Sequence, residues 1–213
     1  MPLKKWIFSI LTLSLLSKES FSSTLVNWDH VHHEELSSFL GVPYLKVKGM
    51  SLEGFSGASL QKLQSAFSFM EKVINTEEFR SRVINFKNKK GERKFESNRG
   101  LSNEEIYEIF MEGREVLQMD TPGEVNLFLK LYDNPMSRVI GYTTSKTNLI
   151  NINWKYFKQF KIHEVAANLT HEWTHKLGFG HTSAKEHDSV PYAIGYIIRD
   201  MVLKSMNNPG PIF

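Results

Sequence analysis

The sequence predicts an α/β domain built around a mixed sheet, and three observations carry that prediction. Apolar residues recur at helical spacing from Ala58 to about Asn75, four short stretches between Phe79 and Asn153 have strand character, and a second helical stripe runs into HEWTHKLGFGH at residues 171 to 181. A chain of 213 residues, 41% hydrophobic and 23% charged, suits one globular domain with a sizeable core.

In the first predicted helix, Leu60, Leu63, Phe67, Met70 and Ile74 form one apolar stripe. Phe79 to Phe86 reads as a strand. Ser102, with Glu105 three residues later, forms a capping box for a helix through about Arg114, which reads as an insertion. Glu124 to Tyr132 is a strand in which Val125, Leu127, Leu129 and Leu131 alternate with other residues. Arg138 to Thr143 and Asn148 to Asn153 add two more. Ile162, Val165, Ala166, Leu169 and Trp173 then follow a helical period into the histidine motif, and a last helix is expected from about Ala193 to Lys204.

The chain ahead of Ala58 has a different character. Lys4 and Lys5 precede an apolar run from Trp6 to Leu16 and then small and polar residues, the pattern of an export signal at residues 1–22 with cleavage after Ser22. An uncleaved anchor is the alternative. The run is shorter than the roughly 20 residues that span a bilayer, and no later segment comes closer. The protein is therefore expected to be exported, periplasmic or secreted, without a stable span in the mature chain. Residues 23–57 show no sustained period and read as an irregular lead-in, a candidate pro-segment ahead of a domain at 58–213.

Loss of residues 1–22 removes Lys4, Lys5, Lys18 and Glu19, a net +2, and reduces the charge from +3 to +1. So small a charge gives no support to a nucleic-acid partner. With no cysteine there is no disulfide framework, so stability must come from the core and any bound metal. Lys87 to Gly100 carries six basic residues, a candidate anion patch, but glycines at 91 and 100 favour a solvated loop or hairpin.

The motif itself carries chemistry. At 100° per residue, His171 and His175 lie opposite the apolar stripe, one turn apart, so both imidazoles can reach a single ion. Gly178 can take the left-handed conformation that ends a helix and reverses the chain, bringing His181 back towards that ion. Three neutral histidines leave zinc an open position for water, as a catalytic site requires. Glu172, beside the first ligand, can take a proton from zinc-bound water as it attacks a polarised carbonyl. Hydrolysis of a peptide bond is the expected reaction, with a peptide or protein as substrate and the chain acting as a monomer. A non-catalytic zinc protein that binds peptide or cell-wall material would present the same ligands; a cell-wall peptide hydrolase would share the chemistry.

HEWTHKLGFGH resembles the HExxHxxGxxH signature of the metzincin clan of zinc endopeptidases, and the likeness extends to the order of elements from about Ala58 onward. The resemblance implies His171, His175 and His181 as zinc ligands and Glu172 as the base. It also implies a small, mostly parallel mixed sheet packed on two long helices, with a C-terminal helix after the third ligand. Metzincins place a methionine-containing turn beneath the metal; here DSVPYAIGY has none, and Pro191 or Tyr192 occupies the turn. By the same resemblance Tyr192 is a candidate oxyanion donor or fifth ligand, with a packing role as the alternative, and Tyr196 a weaker candidate. Metzincin substrates add a strand to a sheet edge, and Asn148 to Asn153 is the strand assigned to that edge, an ordinary strand being the alternative.

The remaining histidines are set apart from the site. His163 lies about 12 Å along the helix from His171 and cannot share its ion. His187 with Asp188 is a candidate contact behind the ligands or part of a solvent-facing loop. His30, His32 and His33, with Asp29, are candidates for blocking the zinc in a latent form or are simply a polar lead-in.

Overall fold

The structure, a computed structural model, describes residues 43–117, 122–144, 146–183 and 186–208. The export signal expected at residues 1–22, and the histidines at 30, 32 and 33, lie outside the described residues. The described chain is α/β, with six helices and a mixed four-stranded sheet.

Strand β1, Lys46–Glu53, pairs in parallel with β2, Glu124–Tyr132; β2 pairs in parallel with β4, Leu149–Asn153; and β3, Gly141–Thr143, pairs antiparallel with β4 at the sheet margin. The order is therefore β1-β2-β4-β3. Val125, Leu127, Leu129, Ile150 and Ile152 supply its buried face.

Three expectations are corrected here. Residues 46–53 were expected within an irregular lead-in and instead form an edge strand of the sheet. Its alternation is broken by a register shift between Gly49 and Ser51, and no residue of the strand is fully buried, so no apolar period marks it. Phe79 to Phe86, expected as a strand, belongs mostly to helix α2, Glu77–Ile84, which follows helix α1, Gly57–Ile74. The Thr76 hydroxyl caps α2 by accepting from the Phe79 N–H at 3.2 Å, Glu77 and Glu78 favour its N-terminus, and the buried Phe79 and Val83 are one turn apart. The third correction concerns the margin itself. Asn148 to Asn153 was assigned to the free edge, yet β4 is paired on both sides and the edge is β3.

Side-chain hydrogen bonds bind β1 to α1. Buried Glu71 accepts from the Tyr44 hydroxyl at 2.8 Å and the Val47 N–H at 2.7 Å, while Asn75 exchanges two hydrogen bonds with the Leu45 backbone. Helix α3, Asn103–Glu112, keeps the Ser102–Glu105 capping box, but it is not peripheral as an insertion would be. Ile106, Phe110 and Met111 are buried, and Phe110 meets Trp173 edge-on at 4.9 Å.

The single-turn helix α4, Trp154–Phe157, leads to α5, Ile162–Lys176, and the last helix α6 spans Val190–Asn207. Val165, Ala166, Leu169 and Trp173 of α5 are buried in the core, which leaves the opposite face to the histidines. Helices α5 and α6 cross closely at Gly195, where a Cβ would stand 3.1 Å from the Ala167 carbonyl oxygen. Among the described residues no helix is long and apolar enough to cross a membrane.

Candidate metal centre

His171 and His175 project from α5 one turn apart, and their rings lie 5.0 Å from each other. The helix ends at Lys176, and Gly178, with φ of 89°, turns the chain in a conformation that a side chain would strain. His181 thereby returns to 5.2 Å from His171 and 5.0 Å from His175, ring to ring. One nitrogen from each of the three lies within 4.8 Å of the others, a group that could hold a metal ion.

Two nitrogens bound at about 2.0–2.1 Å to one tetrahedral centre stand roughly 3.3–3.4 Å apart. The Nε2 atoms of His171 and His181 are 3.3 Å apart, the separation that a shared ion of this size would require of that pair. One outer ring nitrogen is also held. His175 Nδ1 donates to the Phe179 carbonyl at 2.8 Å. A carbonyl can only accept, so it fixes the proton on the far nitrogen and leaves the other lone pair for an ion.

Burial, and then the charges that His175 and His181 would carry, push the His171 imidazole down to about 3; burial likewise lowers His175. Both rings are therefore neutral near pH 7, the form that ligates. Glu172 is 4% exposed, and burial pushes its carboxyl up to about 8 against the pull of the Lys176 ammonium. A divalent ion among the histidines would favour the ionised form instead. Lys176, itself buried, donates to the carbonyls of Thr144 and Thr147 and so ties the end of α5 to the turn between β3 and β4.

The histidines and Glu172 open on a cleft of about 600 Å³ lined by β3 and by α5 and α6. Ile140 turns its carbonyl to the Asn153 N–H at 2.9 Å, so by strand alternation the N–H and C=O of Gly141 face away from β4, toward an edge that no strand covers among the described residues. Gly141 lies against Glu172: a Cβ there would be 3.2 Å from Glu172 Oε1 and 3.1 Å from Asn168 Oδ1.

Pro191 and Tyr192 do not form a turn ahead of a helix from about Ala193, as expected, but lie in the first turn of α6, where a proline is tolerated because its missing N–H has no helical partner. The Tyr192 ring stands 4.5 Å from that of His171 and 4.8 Å from that of His181. Burial first, then the charges of Tyr196 and Glu172, raise its phenol above the ordinary value. The Tyr196 hydroxyl is 2.8 Å from His187 Nδ1, so His187 hydrogen-bonds a cleft tyrosine rather than one of the three clustered histidines. His163 takes no part in the cluster, and its Nδ1 is buried without a partner among the described residues.

Several cleft residues went unmarked at the outset: Gly141, Asn168, Gly195 and Arg199. Asn168 and Gly195 could have been placed by helical spacing, one turn before Glu172 and one turn after Tyr192. No protein-family model, no curated protein and no solved structure matches the chain.

Proposed function

We propose that this chain is a zinc-dependent endopeptidase of metzincin-like design, hydrolysing peptide bonds with Glu172 as general base. The observation that carries the reading is the convergence of His171, His175 and His181 beside a buried Glu172 in a cleft beneath an open strand edge.

Zinc, when bound, supplies Lewis acidity that acidifies water and polarises the scissile carbonyl. The rest falls to the protein. A peptide laid along β3 can pair with the outward backbone groups of Gly141, which sets its carbonyl over the histidine cluster. Glu172 takes the proton of the attacking water on its carboxylate and delivers it to the leaving amine. Its burial removes competing water from that transfer. The Tyr192 phenol, its ring beside two of the ligands, is positioned to donate to the oxygen that gains charge as the carbonyl becomes tetrahedral.

The test is Glu172→Ala. The variant should hold zinc at wild-type stoichiometry and lose at least about 10³-fold in kcat, a loss in the range of a missing general base. Undiminished peptidase activity in a zinc-loaded Glu172→Ala protein would refute the mechanism.

A further inference from the structure

Among the described residues, only Ser97 and Arg99 combine a side chain with a left-handed backbone, at φ of 51° and 59°. Such strain persists where surrounding contacts enforce it. Both side chains reach the segment that carries the third histidine. Arg99 Nη1 sits 2.8 Å from where a Cβ on Gly178 would lie, directly over the turn that reverses the chain. Ser97 Oγ donates to Glu186 Oε1, and the other oxygen of Glu186 accepts from the Thr182 N–H at 2.7 Å and the Thr182 hydroxyl at 3.2 Å. Thr182 is the residue after His181.

The contact continues along the chain. The Glu96 N–H donates to the Asp188 carbonyl at 2.8 Å, and the Lys89 N–H to the Asp188 carboxylate at 2.9 Å. Glu96 also bridges in parallel to Ser189, the residue that precedes α6. The basic stretch from Lys87 to Gly100 thus meets Gly178, Glu186, Asp188 and Ser189. His171 and His175 are held by a helix, whereas His181 stands on an irregular segment and has no such support.

We infer that the chain Ser97–Glu186–Thr182 is a positioning device for His181, which sets metal affinity from a loop that does not touch the metal. The inference rests on the metal-binding reading of the site and not on hydrolysis.

The experiment measures zinc affinity of the full chain by competition with a chromophoric chelator, together with the visible spectrum of the cobalt-loaded form. Glu186→Ala should weaken zinc about 10- to 100-fold, the usual effect of removing a group that orients a ligand. Glu186→Gln, which keeps an acceptor for Thr182, should recover most of that loss, and Ser97→Ala should show a smaller one. The metal-free variants should melt with the metal-free wild type, while the cobalt bands of Glu186→Ala shift. In a His181→Ala background, Ser97→Ala should leave zinc affinity unchanged, since the ligand it positions is gone. Wild-type zinc affinity in both Glu186→Ala and Ser97→Ala would overturn the inference, as would an equal loss from Ser97→Ala with and without His181. Absence of zinc binding by the wild type would instead overturn the metal reading beneath it.

Discussion

A methyl group on Gly141 would stand 3.2 Å from Glu172 Oε1, 3.1 Å from Asn168 Oδ1 and 3.2 Å from the Asn151 carbonyl oxygen. Each approach is tighter than ordinary contact, so β3 or the Glu172 side chain must shift by a few tenths of an ångström. Gly141→Ala is therefore expected to keep its zinc and lose about 10- to 100-fold in kcat/KM, as small misplacements of reacting groups do. Full activity in a zinc-loaded Gly141→Ala protein would contradict a role for Glu172 as a closely positioned base. At this scale His171, His175, Glu172 and Gly178 are legible in the sequence, because an i, i+4 pair and a helix-ending glycine are local geometry. The partners behind them are not. Phe179 holds the His175 ring through its backbone carbonyl, a group every residue owns, so no side-chain identity announces it.

Helix α5 is also held from its buried side, where Trp173 Nε1 donates to Glu115 Oε1 at 2.9 Å. Glu115 is 3% exposed, and burial pushes its carboxyl above the ordinary 4.5 despite the Trp173 hydrogen bond and the Lys176 charge. A folded-state value above the unfolded one means that the neutral acid stabilises the fold below about pH 4.5, and that this contribution is lost as pH rises through the folded value. Glu115→Gln keeps an acceptor for the indole and never ionises. Its Tm should match wild type near pH 4 and exceed it increasingly towards neutrality, read as the difference between the two melting curves. A Tm that falls below wild type as pH rises would mean that the pairing of Glu115 with Lys176 outweighs burial. Elements with a full apolar stripe, α1 and α5, are legible because six of the 18 residues of α1 and four of the 15 of α5 are core side chains at helical spacing. Strand β1 and helix α2 are not, the first because a register shift breaks its alternation without a buried residue, the second because eight residues carry only two core side chains. The margin strand was misplaced for a related reason: three residues of β3 carry too little pattern to outrank the alternation in β4.

The whole molecule has no cysteine to cross-link it, and the segment carrying His181 joins α5 to α6 with no helix or strand among its described residues. An ion bound by the three histidines would join that segment to α5 and stabilise the folded state by mass action. At free zinc of 100 times Kd the gain is about 2.7 kcal/mol, which for a domain of this size corresponds to roughly 5–10 °C in Tm. Scanning calorimetry with zinc and then with excess chelator should show that gap, and coincident curves would contradict a site made by the folded chain. The α/β class could be read from the order of periodic segments. The pairing order β1-β2-β4-β3 could not, because it depends on contacts between residues as far apart as Lys46 and Glu124.

Metal-dependent peptide hydrolysis is tested most directly by one digestion of a mixed peptide library with the zinc-loaded chain, split between buffer, chelator, and chelator followed by excess zinc. New peptide termini should accumulate in buffer, stop with chelator and resume when zinc is restored. Cleavage that continues at the same rate in chelator, or no cleavage by a protein shown to hold one zinc per chain, would contradict the account.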